Sequence, residues 1–320
     1  VLREGGSFYP TGDTALFLLG ANEPQARVRA MAAFNPRAAL RQNAGLTLAE
    51  PANPTEARGA FSGALTLPEH RVLELCTGTA PSPDFSPRFP AKRLTTALDW
   101  DDVVLPGDIR FAIEHIQSWI EARDTILQGW NLESRLGRGF RALFYGPPGT
   151  GKTLTATVLG KLTGMEVYRI DLASVVSKYI GETEKNLAHV FDMAAERDWV
   201  LFFDEADALF GARTATSSSN DRHANQEVAY LLQRIEDAPG VVILATNLRS
   251  NIDDAFFRRF QMAVGFTKPD ARMRKTLWSR ILKDVPLAED VDKRVLAKEH
   301  ELTGGSINNV VRHAAISALR

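Results

Sequence analysis

The chain has 320 residues, of which 44% are hydrophobic, and its formal net charge is -1. This length allows two or three domains with their own cores. The near-neutral charge argues against a dedicated nucleic-acid or membrane surface, since either normally shows a basic excess. A single cysteine, Cys76, excludes a disulfide framework and favours a reducing, cytoplasmic compartment, in which Cys76 is expected to be a small buried apolar residue. No apolar run approaches the roughly 18 residues of a membrane span, and the opening residue Val1 fits a start inside a longer chain.

The first predicted module covers residues 1–88, where Ala, Pro and Gly are frequent and the hydrophobic periodicity is weak. Short helices are predicted at residues 14–20 and 25–31. Residues 65–67 are predicted to be a strand, and a helix with proline in its first turn is predicted at 68–75. These elements favour a small helical or winged-helix-like module. Winged helices can bind DNA, but charged residues more commonly belong to a solvated face.

The second part of the chain alternates between strand and helix patterns. Residues 79–90 contain four prolines and form a predicted linker, and a helix is predicted from about residue 108 to 128. Apolar runs of strand length follow at 142–145, 167–171, 200–203, 241–245 and 262–266. Strands separated by helices predict an α/β domain over residues 89–267, with a five-stranded parallel sheet between helices. Residues 268–320 are predicted to form a small helical lid.

A glycine-rich turn joins the first of these strands to a helical pattern at residues 154–162. Its residues are Gly146, Pro147, Pro148, Gly149, Thr150, Gly151, Lys152 and Thr153. A strand, a G-x-x-x-x-G-K-[ST] pattern and a helix in this order indicate a phosphate-binding loop, in which backbone N–H groups and the positive end of the helix face the phosphates. Lys152 would contact the β- and γ-phosphates, and the Thr153 hydroxyl would bind Mg²⁺. The alternative is an ordinary strand-to-helix turn, which eight matching positions disfavour.

Two neighbouring carboxylates follow the apolar run at residues 200–203. Asp204 is expected at the carboxyl edge of the sheet, where such folds bind ligands, and would hold Mg²⁺ directly or through water. Glu205 would orient and polarise the attacking water as the general base. Neighbouring buried acids are costly unless a cation is close. The metal interpretation is therefore favoured over the alternative of two surface acids at a strand end.

Polar residues further along complete the predicted site. Asn247 follows the run at residues 241–245, where the γ-phosphate of a nucleotide would lie; a turn or capping asparagine is the alternative. Arg258 and Arg259 could offer a guanidinium to the γ-phosphate of a neighbouring subunit and stabilise transition-state charge there. Judged from the residues alone, adjacent arginines are more commonly a solvated surface.

Five sequence blocks resemble those of the AAA+ ATPases, and of the narrower AAA clade in particular: GPPGTGKT, SKYIGETEKNL, VLFFDEADALFGAR, VVILATN and IDDAFFRRF. The resemblance covers residues 94 to 320. The wording of DEADALFGAR, NQEVAYLLQRIE and VILATNL is most similar to the ATPases encoded with bacterial phage-tail-like contractile injection systems. Those proteins often carry a winged-helix module upstream, which agrees with the N-terminal expectation.

The resemblance implies a ring, usually a hexamer, with ATP bound between subunits and Mg²⁺ as the cofactor. It implies Walker A at residues 146–153 with Leu154 beside it, Walker B at Asp204 and Glu205, and sensor 1 at Asn247. It also implies a first pore loop, in which an aromatic residue grips an extended polypeptide, and a second pore loop at residues 211–220. The first pore loop would consist of Lys178, Tyr179, Ile180 and Gly181.

The chain departs from the family's pattern in two places. Family members commonly separate two arginines by a short glycine-containing spacer, so a single finger is expected here, and Arg259 is favoured by its position before Phe260. Gly304 and Gly305 stand where many AAA+ proteins keep a second sensor arginine. This agrees with the narrower clade, in which small residues at that point contact the base.

The sequence supports an ATP-hydrolysing ring that remodels a protein substrate or translocates it through a central pore, with ATP or ADP, further copies of the chain and a protein substrate or particle component as partners. A nucleotide-gated assembly scaffold with slow hydrolysis is the main alternative, because it needs the same site. A DNA-handling ATPase is a third, which the near-neutral charge disfavours. No membrane partner is expected.

Overall fold

The computed structural model separates the chain into two compact units, Val1–Pro83 and Asp84–Arg320. The structure describes residues 2–4, 7–20, 23–35, 38, 41, 46–49, 59–67, 69–78, 82–172, 182–207, 219–247 and 254–319. None of the helices in these ranges is both long and apolar enough to cross a bilayer. The predicted division of the second unit between residues 267 and 268 stays a prediction.

The N-terminal unit contains short antiparallel strand pairs and helices. The pairs are β1 (Leu2–Glu4) with β2 (Ser7–Tyr9) and β3 (Thr47–Leu48) with β4 (Leu65–Thr66). The helices are Gly12–Gly20, Pro24–Met31 and Glu69–Thr77, with a 3₁₀ turn at Ala32–Phe34. The expectation for Cys76 was wrong: its side chain is exposed, because it lies in a last helical turn where Leu75 is exposed as well. The winged-helix interpretation stays a prediction.

The second unit is built on a six-stranded sheet. Its strands are β5 (Lys92–Leu94), β6 (Phe140–Tyr145), β7 (Val167–Asp171), β8 (Val200–Asp204), β9 (Val241–Thr246) and β10 (Met262–Gly265). Their order across the sheet is β10-β6-β9-β8-β7-β5. Strands β6 to β10 pair in parallel and confirm the predicted α/β core. The three-residue strand β5 was not predicted, and it pairs antiparallel with β7 at one edge.

Helices cover both faces of this sheet, as the alternation of strands and helices requires. One face packs against Glu182–Arg197 and Ser219–Asp237 through a core that includes Tyr168, Phe203 and Leu244. The other face packs against Gly107–Asp124 and Lys152–Thr163 through a core that includes Phe144, Phe202 and Ile243. The central strands are therefore apolar on both sides.

The helix predicted from about residue 108 to 128 is α-helical only over Gly107–Asp124 and continues as a π-helical turn, Thr125–Gly129. A four-residue helix, Glu133–Leu136, then leads into β6. Another short helix, Asp254–Phe257, precedes β10. The helix predicted from residue 108 is therefore confirmed as far as Asp124. The change to a π-helical turn at Thr125 was not predicted, because it leaves no periodicity signal in the sequence.

The last part of the chain is helical, as predicted: Ala271–Ile281, Lys293–Glu299 and Gly304–Ala318. Side chains cap the first turn of each helix, since Asp270, Asp292 and Thr303 each accept a hydrogen bond from a following backbone N–H. Trp278, Leu282, Ala297 and Ile307 form the buried core of this lid. The buried Arg274 joins two of the helices by donating from Nε to the Ala297 carbonyl at 2.7 Å.

Candidate active site

The predicted phosphate loop joins β6 to the helix Lys152–Thr163 and packs against the first turn of the lid helix Gly304–Ala318. The Gly305 N–H donates to the Gly149 carbonyl at 3.1 Å. A Cβ placed on Gly149 would lie 2.6 Å from Thr303 Oγ1, closer than real side chains approach. The loop and the lid therefore meet backbone to backbone, and this contact holds Gly304 and Gly305 beside the loop; their contact with a nucleotide base stays a prediction.

Lys152 begins the helix and is only 8% exposed. Its Nζ donates to the carbonyls of Gly146 at 2.6 Å and Pro147 at 3.1 Å, and to Asn247 Oδ1 at 2.9 Å. A lysine has three donors, so a phosphate oxygen would replace at least one of these acceptors. Burial lowers the pKa of Lys152, while the Asp204 and Asp207 carboxylates oppose that shift. The site thus contains a buried amine whose charged form is supported by two nearby acids.

The two predicted acids lie at the carboxyl end of β8. The Asp204 side chain is 18% exposed; its Oδ1 accepts the Glu205 N–H at 3.0 Å, and its Oδ2 forms an ion pair with Arg169 Nε at 3.0 Å. The Glu205 side chain is exposed, and its backbone has a left-handed φ of 55°, which is uncommon for a residue other than glycine. Such conformations concentrate at functional sites, so the backbone agrees with a special role for Glu205.

Asn247 follows β9 and is held by a residue that the sequence did not single out. Asp207 Oδ1 accepts a hydrogen bond from the Asn247 N–H at 3.3 Å and another from the Thr246 hydroxyl. These bonds fix the chain at the point where the Asn247 side chain reaches Lys152. Asp207 therefore acts as a positioning residue for Asn247.

A cavity of about 670 Å³ brings most of these residues together. Small-molecule sites usually measure about 300–1,000 Å³. Among the predicted site residues, those that line it are Pro148, Gly149, Thr150, Gly151, Lys152, Thr153, Leu154, Asp204, Glu205, Asn247, Gly304 and Gly305. Most of the other residues that line the cavity are apolar, and Val103, Ile109, Met273 and Leu277 among them form what is called here the apolar wall. A lining that combines the polar loop and strand-end residues with these apolar side chains suits a ligand that has both phosphates and a planar base.

The donors at the polar end fit a magnesium ion bound together with phosphates. Mg²⁺ is normally held through one or two carboxylates, with phosphate oxygens and waters as further ligands. Thr153 and Asp204 both line the cavity. Within the described ranges, no group of three or more His, Cys, Asp or Glu side chains forms a metal site. Thr153 and Asp204 would hold the metal, with phosphate oxygens and waters as its further ligands.

The two predicted finger arginines lie away from this cavity. Arg258 and Arg259 are both exposed, and the Arg259 guanidinium pairs with the carboxylate of Glu236 on the helix Ser219–Asp237. A finger that acts in a neighbouring subunit would be found outside the chain's own cavity. The predicted pore-loop residues Lys178, Tyr179, Ile180 and Gly181, and residues 211–218 of the second loop, lie outside the described residues.

Sequence reasoning missed the apolar wall, Arg169 and Asp207. The wall residues come from segments far apart in the chain, before the phosphate loop and within the lid, so no local pattern connects them. Asp207 stands two residues after Glu205 and was within reach as a third acid of that stretch. Arg169 gives no signal, because its contact with Asp204 depends on the register between β7 and β8.

Residues 142–268 match the model of the ATPase family associated with various cellular activities, AAA. An uncharacterized AAA family ATPase of Sinorhizobium fredii is 32% identical over 222 residues, which are 68% of this chain and 64% of the relative. Cell division protein C of Sulfolobus acidocaldarius is 32% identical over 70% of this chain and 60% of its own length. Protein CdcH of Halobacterium salinarum is 33% identical over 70% of this chain and 30% of its own length. The chain thus spans less than two thirds of each of these relatives.

Proposed function

Because residues 142–268 match the AAA ATPase family, we propose that this chain binds ATP with Mg²⁺ in its cavity and hydrolyses it to ADP and phosphate. One observation carries the proposal. The loop after β6, the acids after β8 and Asn247 after β9 come from adjacent parallel strands, and they line one cavity. The carboxyl edge of such a sheet is where α/β folds bind their ligands.

Each of these residues has a distinct role in the proposed reaction. Backbone N–H groups of the loop and the N-terminus of the helix Lys152–Thr163 bind the phosphates, and Lys152 neutralises charge on the β- and γ-phosphates. Asp204 and the Thr153 hydroxyl would hold the magnesium, which would offset negative charge on the phosphates. Glu205 takes a proton from the attacking water, and the Asn247 side chain contacts the γ-phosphate.

Paired measurements of binding and turnover test this proposal. Glu205→Gln should retain ATP affinity, but its rate of phosphate release should fall by about 10²-fold or more. Lys152→Ala should instead lose affinity for ATP. Glu289→Gln, an exposed glutamate of the lid region, is the control and should behave as the unaltered chain. Turnover retained by Glu205→Gln would contradict the proposed chemistry.

The larger role that we propose is a ring, with the hexamer as the expected form, that remodels a protein substrate. Its support is the motif set quoted above together with Tyr179, an aromatic residue beside an aliphatic one and a glycine, which suits sequence-tolerant contact with a polypeptide. Tyr179→Ala should leave basal ATP hydrolysis intact and stop the unfolding of a fluorescent protein that carries an unstructured tail. Tyr179→Phe, which keeps the ring, should restore unfolding.

The scaffold alternative makes the opposite predictions. Rings would form with ATP, the rate of hydrolysis would be unaffected by protein substrates, and Glu205→Gln would still support assembly of its partner. The resemblance of the sequences DEADALFGAR, NQEVAYLLQRIE and VILATNL also supports a role beside a phage-tail-like contractile injection particle. Deleting the gene and imaging the particles that the cells still produce would test that role, and normal particles would contradict it.

A further inference from the structure

Arg169 contacts the proposed magnesium ligand, although nothing in the phosphate-loop or acidic motifs includes it. Its Nε lies 3.0 Å from Asp204 Oδ2, and the two side chains are 39% and 18% exposed. An ion pair this short between partly buried groups is stronger than a fully solvated one, because less water screens the charges.

The register of the sheet explains why these two side chains meet. Arg169 on β7 lies opposite Phe202 on β8, and Asp171 lies opposite Asp204. Side chains alternate between the faces of a sheet, so Arg169, Phe202 and Asp204 all point to the face that the helix Lys152–Thr163 covers. Arg169 lies opposite Phe202, two residues before the end of β8, and its long side chain extends along the sheet to Asp204 at that end.

Both oxygens of the Asp204 carboxylate therefore have a contact within the chain, Oδ1 a hydrogen bond and Oδ2 an ion pair that lacks hydrogen-bond geometry. Oδ1 accepts the N–H of the next residue, Glu205, and Oδ2 faces Arg169. The first contact is local and belongs to the backbone turn after β8. The second comes from a flexible side chain, so Oδ2 is the oxygen that can become available to a metal without any change in the backbone.

Other charges beside the pair act on the same guanidinium. Lys92 on β5 lies opposite Arg169 in the register, and like charges placed opposite each other are unfavourable. Asp171 stands opposite Asp204 on strands that lie about 4.8 Å apart. Arg169 thus has a cation opposite it on β5, while the carboxylates of Asp171 on its own strand and Asp204 on β8 lie toward the strand ends, which favours its direction toward that end.

We propose that Arg169 is a positioning residue that occupies Asp204 Oδ2 while no metal is bound and competes with Mg²⁺ for it. The chain would then require more magnesium to bind nucleotide tightly than a site without this arginine. This inference rests on the proposed function, since it concerns the magnesium of the same site.

The test measures the binding of a fluorescent ADP analogue to the full chain, first in EDTA and then across a magnesium titration. The quantity compared is the Mg²⁺ concentration that gives half of the magnesium-dependent gain in affinity. Arg169→Met removes the charge and keeps much of the side-chain length, so it should lower that concentration by about fivefold, the upper end expected from a partly exposed ion pair. Arg169→Lys keeps a cation, so its half-effective Mg²⁺ concentration should fall between those of the unaltered chain and Arg169→Met.

The matched control is Arg93→Met. Arg93 on β5 also forms a partly exposed ion pair, at 2.8 Å from Glu166, but its carboxylate partner does not line the cavity, whereas Asp204, the partner of Arg169, does. Its loss should change the thermal melting of the chain about as much as the loss of Arg169 and should leave the magnesium titration unchanged.

Three results would overturn the inference. An unchanged or higher magnesium requirement in Arg169→Met would show that the arginine does not compete. An equal shift in Arg169→Lys would show that charge is not the cause. If the unaltered chain took up no nucleotide at any magnesium concentration, the proposed function would fail with it, whereas either of the first two results leaves that function standing.

Discussion

Lys152 and Asn247, 95 residues apart in the sequence, are joined by a hydrogen bond of 2.9 Å between Nζ and Oδ1. The bond spans the ends of the adjacent strands β6 and β9. Because the amide oxygen is directed at the lysine, the amide nitrogen of Asn247 is left as the donor for an incoming phosphate. The same contact therefore both steadies the lysine and orients the asparagine.

Replacing Asn247 with alanine should separate binding from turnover. We expect phosphate release to fall by about 10²-fold, the loss typical of removing one donor to a developing negative charge, while ATP affinity changes by less than about threefold. Steady-state phosphate release and fluorescent nucleotide binding measure the two quantities. The control is Asn186→Ala, which removes a different asparagine whose amide nitrogen donates to the Pro87 carbonyl at 2.9 Å. It should change neither phosphate release nor ATP affinity. A large loss of affinity in Asn247→Ala would contradict the assigned role.

Arg259 is expected to act on the nucleotide of a neighbouring subunit. Arg259→Ala should reduce turnover by about 10³-fold with ATP affinity retained, and Arg258→Ala should have a small effect. The decisive experiment mixes Arg259→Ala with Lys152→Ala chains, each inactive alone. One supplies an intact site and the other an intact finger, so mixed assemblies should regain turnover. A mixture as inactive as its components would speak against action between subunits.

The backbone of Gly146 leaves no room for a side chain. Its φ is 140°, and a Cβ would lie 2.0 Å from the Phe266 carbonyl oxygen, so Gly146→Ala must displace either the loop or the end of β10. We expect it to destabilise the chain by more than about 2 kcal/mol and to weaken nucleotide binding.

Gly164 provides the comparison, because it has a φ of 70° and a Cβ added there would meet no atom within 4 Å. Gly164→Ala should cost about 1 kcal/mol, the strain of the left-handed backbone alone, with nucleotide affinity unchanged. Urea unfolding and nucleotide binding give both numbers. Equal losses in the two variants would mean that the contact with Phe266 is unimportant.

The ion pair between Arg123 and Asp198 makes stability depend on pH. Arg123 donates to both carboxylate oxygens of Asp198, at 2.8 and 2.6 Å, and these bonds hold the pKa of Asp198 below its ordinary value against the opposing effect of burial. A carboxylate with a lowered pKa in the folded state stabilises it above the unfolded pKa, and this contribution is lost as the pH falls through the folded pKa.

Asp198→Asn keeps a side chain that tolerates the left-handed φ of 58° at this position and removes only the charge. At neutral pH we expect a loss of about 1 kcal/mol or less, since the carboxylate is half exposed. The difference from the unaltered chain should shrink below pH of about 3.9. Urea unfolding at neutral pH and below a pH of about 3.9 measures the difference in stability, and Asp290→Asn, at an exposed position, is the control. A difference that grows toward low pH would contradict the assigned ion pair.

The central strands could be predicted because their residues are apolar on both faces, as in the run from Val200 to Phe203. The phosphate loop could be predicted because its chemistry is local in sequence. Strand β5 could not, because Lys92 and Arg93 are charged and exposed and only Leu94 is partly buried. The roles of Arg169 and Asp207 depend on which strands are neighbours, and the apolar wall depends on how the lid meets the sheet. Local patterns carry none of that information.

The identity of the outermost strand also has a consequence for solubility. An edge strand offers unpaired N–H and C=O groups to a strand of another chain, and proteins often prevent such pairing with edge strands that are short and carry lysine. Here the margin beyond β7 consists of three residues, two of them cationic and solvent-exposed. A second copy that tried to extend the sheet there would meet the same positive charges, so we expect this margin to resist strand-by-strand aggregation even at high protein concentration.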